Sequence, residues 1–458
     1  MRWKMEKREG VCKAEWSALV GLAVPIVLSE LGWMAMSIVD TIMVGRIGPA
    51  AIGAVAVGNA VYYAPSLFGI GLLLGLDALV SQAYGRGDFD ECHRWMAQGI
   101  YLAALVTPPT MAALTGIALA LPKMGIQPEV AGPARSYLLT MMWGTLPLLA
   151  YAAARRYLQG VGQVKPITFV YISANLFNWG GNWLLIYGHW GLPSMGVTGS
   201  ALSTAISRVY MAAALIFFAW LNERRRGHAL FERWPGPRMD RLQAIAGLGL
   251  PAAGQIVLEV GAFSVGTLMA GRLAPAALAA HQIALNCASL TYMVPLGLSA
   301  AAAVSVGHAQ GAGDGKKAAR AGWMAIGLGA GFMSLAMLAF LLAPRPIIEV
   351  YTRDAAVLAI GPGLLALAGT FQIFDGIQGV STGALRGLGD TRTAMAANLF
   401  AYGAVGLPLG AFLCFVRGWG VYGIWTGLTV ALMVVAGVVV TVWKRRSGRL
   451  AAACSLTG

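Results

Sequence analysis

The sequence predicts an all-α polytopic membrane protein, with twelve transmembrane helices in two homologous six-helix lobes around a central cleft. Three observations carry that prediction: the composition, the alternation of basic residues between loops, and an internal repeat. The chain has 458 residues, of which 58% are hydrophobic and 11% charged, with a mean hydropathy of +0.68. A soluble domain carries roughly 25% charged residues, so this one lacks the polar surface to live in water. Five cysteines make no disulfide framework, and the 60 glycines follow no triplet period. Because a spanning helix needs about 20 apolar residues, the length accommodates twelve with short connections.

Apolar runs between polar breaks place the spans near 16–44, 52–80, 96–121, 135–154, 166–188, 195–221, 243–269, 277–304, 321–343, 357–381, 393–415 and 420–443. The polar start, 1–15, leads into the first run without a small-residue cleavage pattern, which predicts that this span is retained. Residues 16–221 then form an N-lobe and 243–443 a C-lobe. Between them, 222–242 is the longest and most charged connection; it carries Arg224, Arg225, Arg226, Pro235 and Pro237 and reads as a linker. The tail is 444–458. Between the second and third spans the chain reads as a solvated loop of about ten residues.

The formal charge of +14 suggests nucleic acid in a soluble protein. Here its distribution gives a different reading. Alternate loops and the two termini hold 25 Lys and Arg, the other loops hold seven, and Arg208 lies within the sixth span. That asymmetry predicts both termini in the cytoplasm of a cell whose inner membrane holds the protein, and no nucleic-acid partner.

At a shift of 226 residues, Pro25, Thr41, Gly45, Arg46 and Pro49 fall on Pro251, Thr267, Gly271, Arg272 and Pro275. Gly85, Gly87 and Asp88 fall on Gly311, Gly313 and Asp314, while Leu158, Gly160 and Gly162 match Leu385, Gly387 and Gly389 at a shift of 227. Glycine, proline, arginine and aspartate in constant register make this a repeat of six spans. Their first expected role is structural, in tight turns and helix ends. An even number of spans per repeat puts the repeat axis along the membrane normal, the plan of a secondary transporter. The sequence has no G-x-x-x-x-G-K-[ST] phosphate loop; neither an ATP-driven pump nor an enzyme is expected.

These motifs carry a resemblance. Asp40 through Gly45 and Arg46, Ser81 through Gly85, Leu158 through Gly162, Ala280 through Asn286, and Gly383 through Asp390 and Arg392 look, in that order, like the multidrug and toxic compound extrusion (MATE) family, in its NorM-like bacterial branch. The resemblance covers about 16–443. It implies export of small organic cations and drugs by antiport against H+ or Na+, through alternating access, with no cofactor beyond the coupling ion; a monomer is expected because the cleft lies within one chain. More distant relatives imply an alternative, a flippase for a lipid-linked or polar metabolite.

Ionisable groups at membrane depth cost at least about 2.5–3.5 kcal/mol each and are functional candidates by default. Here they are Glu30, Asp40, Asp77, Arg208, Glu259 and Asp375. The repeat duplicates none of the three main acids: Asp40 maps to Gly266, Glu259 to Trp33 and Asp375 to Leu148. By resemblance, Glu259 and Asp375 are cation-coupling carboxylates of the C-lobe, able to hold a proton or share Na+. Their alternative is structural, as partners of Arg208 or helix caps. By the same resemblance Asp40 is the N-lobe counterpart, with Asn178 and Asn182, which keep the family's Asn-x-x-x-Asn pattern, as its neighbours; a spacing of four puts both amides on one helix face. Its alternative is plain interhelical hydrogen bonding. Phe371 stands where NorM-type members carry an aromatic hydroxyl, a departure that favours protons over Na+ in the C-lobe. Trp33, Met36, His281, Gln282 and Tyr292, with Phe371, are candidates for an adaptable apolar cavity. Asp77, near a helix end, is expected to be solvated, and Glu30 and Arg208 receive no role.

Overall fold

The computed structural model describes residues 2–225 and 234–456. The centre of the expected linker, with Arg226, lies outside the described residues. Twelve long helices follow one another: α1 Arg2–Gly45, α2 Pro49–Gly85, α3 Phe89–Lys123, α4 Pro128–Gly160, α5 Lys165–Tyr187 and α6 Gly196–Arg225 make the first set. The second set is α7 Met239–Ala270, α8 Pro275–Gly311, α9 Gly315–Leu342, α10 Ala355–Gly387, α11 Arg392–Val416 and α12 Val421–Leu456. A short helix, Pro344–Tyr351, precedes α10. Among the described residues there is no strand.

Eleven of these helices are long and apolar enough to cross a bilayer. The twelfth, α5, is set apart by Asn175, Asn178 and Asn182, the last two of which belong to the site below. The helices outrun the apolar segments read from sequence, because a helix continues past the hydrocarbon region while its backbone bonds remain satisfied. Two expectations change for that reason. The connection between α2 and α3 is only residues 86–88, and Arg155 and Arg156 lie inside α4 rather than in a loop.

Two compact units divide the chain: Met1–Val27 with Gly254–Gly458, and Leu28–Ala253. The boundaries fall within α1 and α7, just after Pro25 and Pro251, at positions related by the repeat. The lobes drawn from sequence keep those helices whole; the units exchange their leading segments. Each exchanged segment meets a glycine. A Cβ at Gly71 of α2 would lie 2.5 Å from Ala253 Cα, and one at Gly297 of α8 would lie 2.9 Å from Val27 Cα. Gly71 and Gly297 are repeat mates, as are Val27 and Ala253. Backbones approach this closely only where one partner has no side chain.

The repeated turns have the chemistry expected of them. Gly87 and Gly313 adopt φ of 76° and 74°, and Gly162 and Gly389 adopt 77° and 81°, the left-handed region open to glycine. Asp88 and Asp314 follow and cap the next helix: their carboxylates accept from Glu91 N at 2.9 Å and Lys317 N at 2.8 Å. Capping satisfies a backbone donor that the helix itself leaves unpaired. In α11, Leu399–Gly406 and Phe412–Val416 are wound as π-helix, a form that often accompanies functional sites. Tyr402 lies on the first of these.

Candidate functional site: two buried acidic clusters

In the unit Leu28–Ala253, α1, α5 and α6 bring Asp40, Asn178, Asn182 and Thr204 together. Asn182 Nδ2 donates to Asp40 Oδ1 at 2.6 Å, and Thr204 Oγ1 donates to Asp40 Oδ2 at 3.1 Å. Asn182 Nδ2 also reaches Asn178 Oδ1 at 3.2 Å, and Asn178 Nδ2 reaches Thr204 Oγ1 at 3.3 Å. All four residues are buried. The two asparagines share a helix face because they are four residues apart. Thr204 was not among the sequence candidates, although its signal was present: Ser200, Ser203, Thr204, Ser207 and Arg208 form a polar stripe at helical spacing on α6. Asp40, Thr204 and Arg208 line a cavity together with Trp33, Met36 and Tyr63.

Elsewhere in this unit, buried charges are paired. Glu30 binds Arg155, and Asp77 lies 3.5 Å from Arg156. Asp77 is 2% exposed, so the expectation that it is solvated is corrected: α3 and α4 close over it. His93 Nε2 lies 2.6 Å from Glu223 Oε1 and 2.7 Å from Tyr157 Oη. Such closed sets hold helices in register, since removing one member strands a charge in an apolar interior.

In the other unit, α7, α8, α10 and α11 supply a second acidic cluster. Glu259 faces Gln255 and Gln378, and Asp375 lies within the electrostatic reach of Glu259. Tyr292 and Tyr402 lie within the electrostatic reach of both acids. Gln378 is fully buried. A carbonyl oxygen and two carboxylates make an oxygen-rich environment of the kind hard cations favour. Phe371 is buried, edge-on to Phe263 and Trp425 at ring-centroid separations of 5.9 Å and 5.5 Å. Tyr402, Gln255 and Gln378 gave no sequence signal, because neither spacing nor charge marks them.

The remaining cavity candidates divide. Trp33 and Met36 line the cavity beside Asp40. His281 is fully buried, with Thr267 Oγ1 at 3.0 Å from Nε2 and Trp425 Nε1 donating to Nδ1 at 3.0 Å; both its nitrogens serve helix packing. Gln282, on the other side of α8, is exposed.

Twelve helices in two lobes, each with a buried acidic cluster of its own, define a polytopic membrane protein of the two-lobed transporter type. The chain belongs to the MatE family, within its NorM-like bacterial branch. The family profile matches residues 25–184 and 251–412, once in each half. A probable multidrug resistance protein NorM of Mesorhizobium japonicum is 37% identical over 96% of this chain and 95% of its own. The multidrug resistance protein PmpM of Pseudomonas aeruginosa is 36% identical over 92% and 89%. Among solved structures, a MATE transporter in the bent conformation superposes with a TM-score of 0.86 at 17% identity, covering 96% of this chain and 97% of its own. The eukaryotic MATE transporter AtDTX14 superposes with a TM-score of 0.84 at 21% identity, covering 96% and 99%; these two likenesses concern the fold.

Proposed function

We propose that this protein is a secondary active multidrug efflux transporter. It exports small organic cations by antiport against H+ or Na+, as a monomer in the cell inner membrane with both termini cytoplasmic. The observation that carries the reading is the pair of buried acidic clusters, Asp40 in one unit and Glu259 with Asp375 in the other, neither copied by the repeat that built the scaffold. Unlike Glu30 and Asp77, each tied to an arginine, these three acids form no salt bridge among the described residues, which supports a role beyond holding the fold.

In this reading the acids hold either the substrate cation or the coupling ion. An incoming H+ or Na+ neutralises the cluster, releases the substrate outside, and permits the units to return. A potential of 100 mV is worth about 2.3 kcal/mol per charge moved, enough for roughly fiftyfold accumulation. Asn178, Asn182 and Thr204 orient Asp40; Gln255, Gln378, Tyr292 and Tyr402 surround the second pair. The names of the NorM and PmpM relatives support the drug-export part.

The test is ethidium efflux from proteoliposomes under separately imposed H+ and Na+ gradients, with Glu259→Gln beside the wild type. Efflux driven by one ion and lost in the variant is the expected result, and it names the coupling ion. A folded wild type that shows no gradient-driven efflux overturns the antiporter and leaves the lipid-linked or polar-metabolite flippase.

A further inference from the structure

The leading segments that the two units exchange are each fastened by an ion pair, and the repeat gives those pairs opposite polarity. In one unit Arg320 of α9 grips both oxygens of Glu15 of α1, Nη2 to Oε1 at 2.7 Å and Nε to Oε2 at 3.0 Å. In the other, Arg241 at the start of α7 donates from Nη2 to Glu91 Oε2 of α3 at 3.0 Å. Its guanidinium lies 4.9 Å from the centre of the Trp95 ring. The Arg241 and Glu91 side chains are 14% and 17% exposed, so this pair is largely shielded from water. At the shift of 226, Glu15 falls on Arg241, Arg94 on Arg320 and Glu91 on Lys317. The acid stands on the leading segment in one unit and on the receiving helix in the other.

The apolar crossings make no such distinction, because Val27 on Gly297 and Ala253 on Gly71 repeat the same contact. Two related grooves offer each segment the same kind of backbone approach. Charge separates them. Were α7 to start on α9, Arg241 would meet Lys317 and Arg320, which share a helix face at a spacing of three. Were α1 to start on α3, Glu15 would meet Glu91, which already holds Arg94 at 3.3 Å. Each wrong placement loses an ion pair and brings like charges together, a means by which homologous partners are kept apart. A clasp reinforces the choice in one unit alone. There Gln98 donates to Gly236 O at 2.8 Å and accepts from Arg238 N at 2.9 Å, whereas its repeat mate is Met324. We propose that the opposed polarity of Glu15–Arg320 and Arg241–Glu91 is an address that directs each leading segment to its own unit as the chain folds. The inference concerns assembly of the scaffold and is independent of what is transported.

Exchanging charges within one pair, Arg241→Glu with Glu91→Arg, keeps a local ion pair and the net charge. It also makes both segments acidic and both receiving helices basic, so the address is lost. Adding Glu15→Arg with Arg320→Glu reverses the second pair and restores opposed polarity. Two measurements on the full chain in detergent read the outcome. One is the monodisperse share after size-exclusion chromatography. The other is the distance between spin labels on Ser17→Cys and Lys316→Cys, exposed positions beside the Glu15–Arg320 pair, with the five native cysteines replaced by alanine. The wild type is expected to give one short distance. The exchange within one pair is expected to lower the monodisperse share at least about threefold and to add a second, longer distance. The four-residue exchange is expected to bring the share back to within about twofold of wild type, with a single distance. An exchange within one pair that assembles like the wild type overturns the proposal. So does a four-residue exchange that is no better than the first, including the case in which neither folds. A purely local role would give a pair in the other unit no power to rescue.

Discussion

The two acidic clusters occupy halves that descend from one repeat, yet they differ in the number of their carboxylates and in the groups around them. Asp40 is a single carboxylate gripped by Asn182 and Thr204 and sharing its cavity with an arginine. Glu259 and Asp375 are two carboxylates among glutamines and phenols. What the halves do share is scaffold: capping aspartates at 88 and 314, left-handed glycines at 87 and 313, and close crossings at Gly71 and Gly297. Duplication preserved what packs helices, while the acidic clusters diverged. A lone acid held by fixed donors suits one bound charge, whereas two neighbouring acids repel and bind a cation by sharing it.

Removing charge tests that contrast most sharply. Asp375→Asn, Glu259→Gln and Asp40→Asn are each expected to abolish gradient-driven efflux, by a hundredfold or more on the order of two lost charge-assisted contacts, while membrane insertion persists. Initial efflux rates in proteoliposomes measure this, and normal rates in all three would sink the coupling assignment.

Next in size is the paired cluster that the first unit has outside its site. Arg155→Met leaves Glu30 buried without its partner and is expected to destabilise the protein by about 3–5 kcal/mol. Combining it with Glu30→Gln recovers much of that loss. Thermal unfolding in detergent reads both, and a double variant no more stable than the single would show that the pair is not the cause.

Weakening the grip on Asp40 is a finer probe. Thr204→Val removes one donor from a carboxylate and is expected to cost about 1.5–3 kcal/mol, seen as a tenfold or larger change in the apparent affinity for the coupling ion. The cluster around Glu259 and Asp375 lacks that residue, so an unchanged ion dependence in Thr204→Val would assign coupling to the second cluster alone.

The smallest effect examines the shared scaffold. Asp88→Ala and Asp314→Ala each lose an N-cap, worth about 1 kcal/mol, and their melting temperatures are expected to fall by similar amounts. Unequal losses would show that equivalent caps carry different loads in the two halves.

Much of this was legible in one dimension because it rests on periodic or compositional signals. Twelve spans follow from apolar runs, and the two-lobed plan follows from Gly, Pro, Arg and Asp in constant register. The Asp40 neighbourhood was partly readable through the resemblance, whose Asn-x-x-x-Asn pattern Asn178 and Asn182 keep. Thr204 lay in a readable polar stripe, whereas Tyr402, Gln255 and Gln378 belong to helices whose facing cannot be read from spacing alone.

By itself, the sequence determined that the chain must live in a bilayer, how many times it crosses, and which acids lie at depth. Hydrophobicity and helical period are local properties, written into each segment. Tertiary structure alone decided which buried charges find partners. It gave Arg155 to Glu30 and Arg156 to Asp77, fixed His281 between Thr267 and Trp425, and left Arg208 facing a cavity. Partnership depends on contacts between helices far apart in the chain, and no local pattern specifies those contacts.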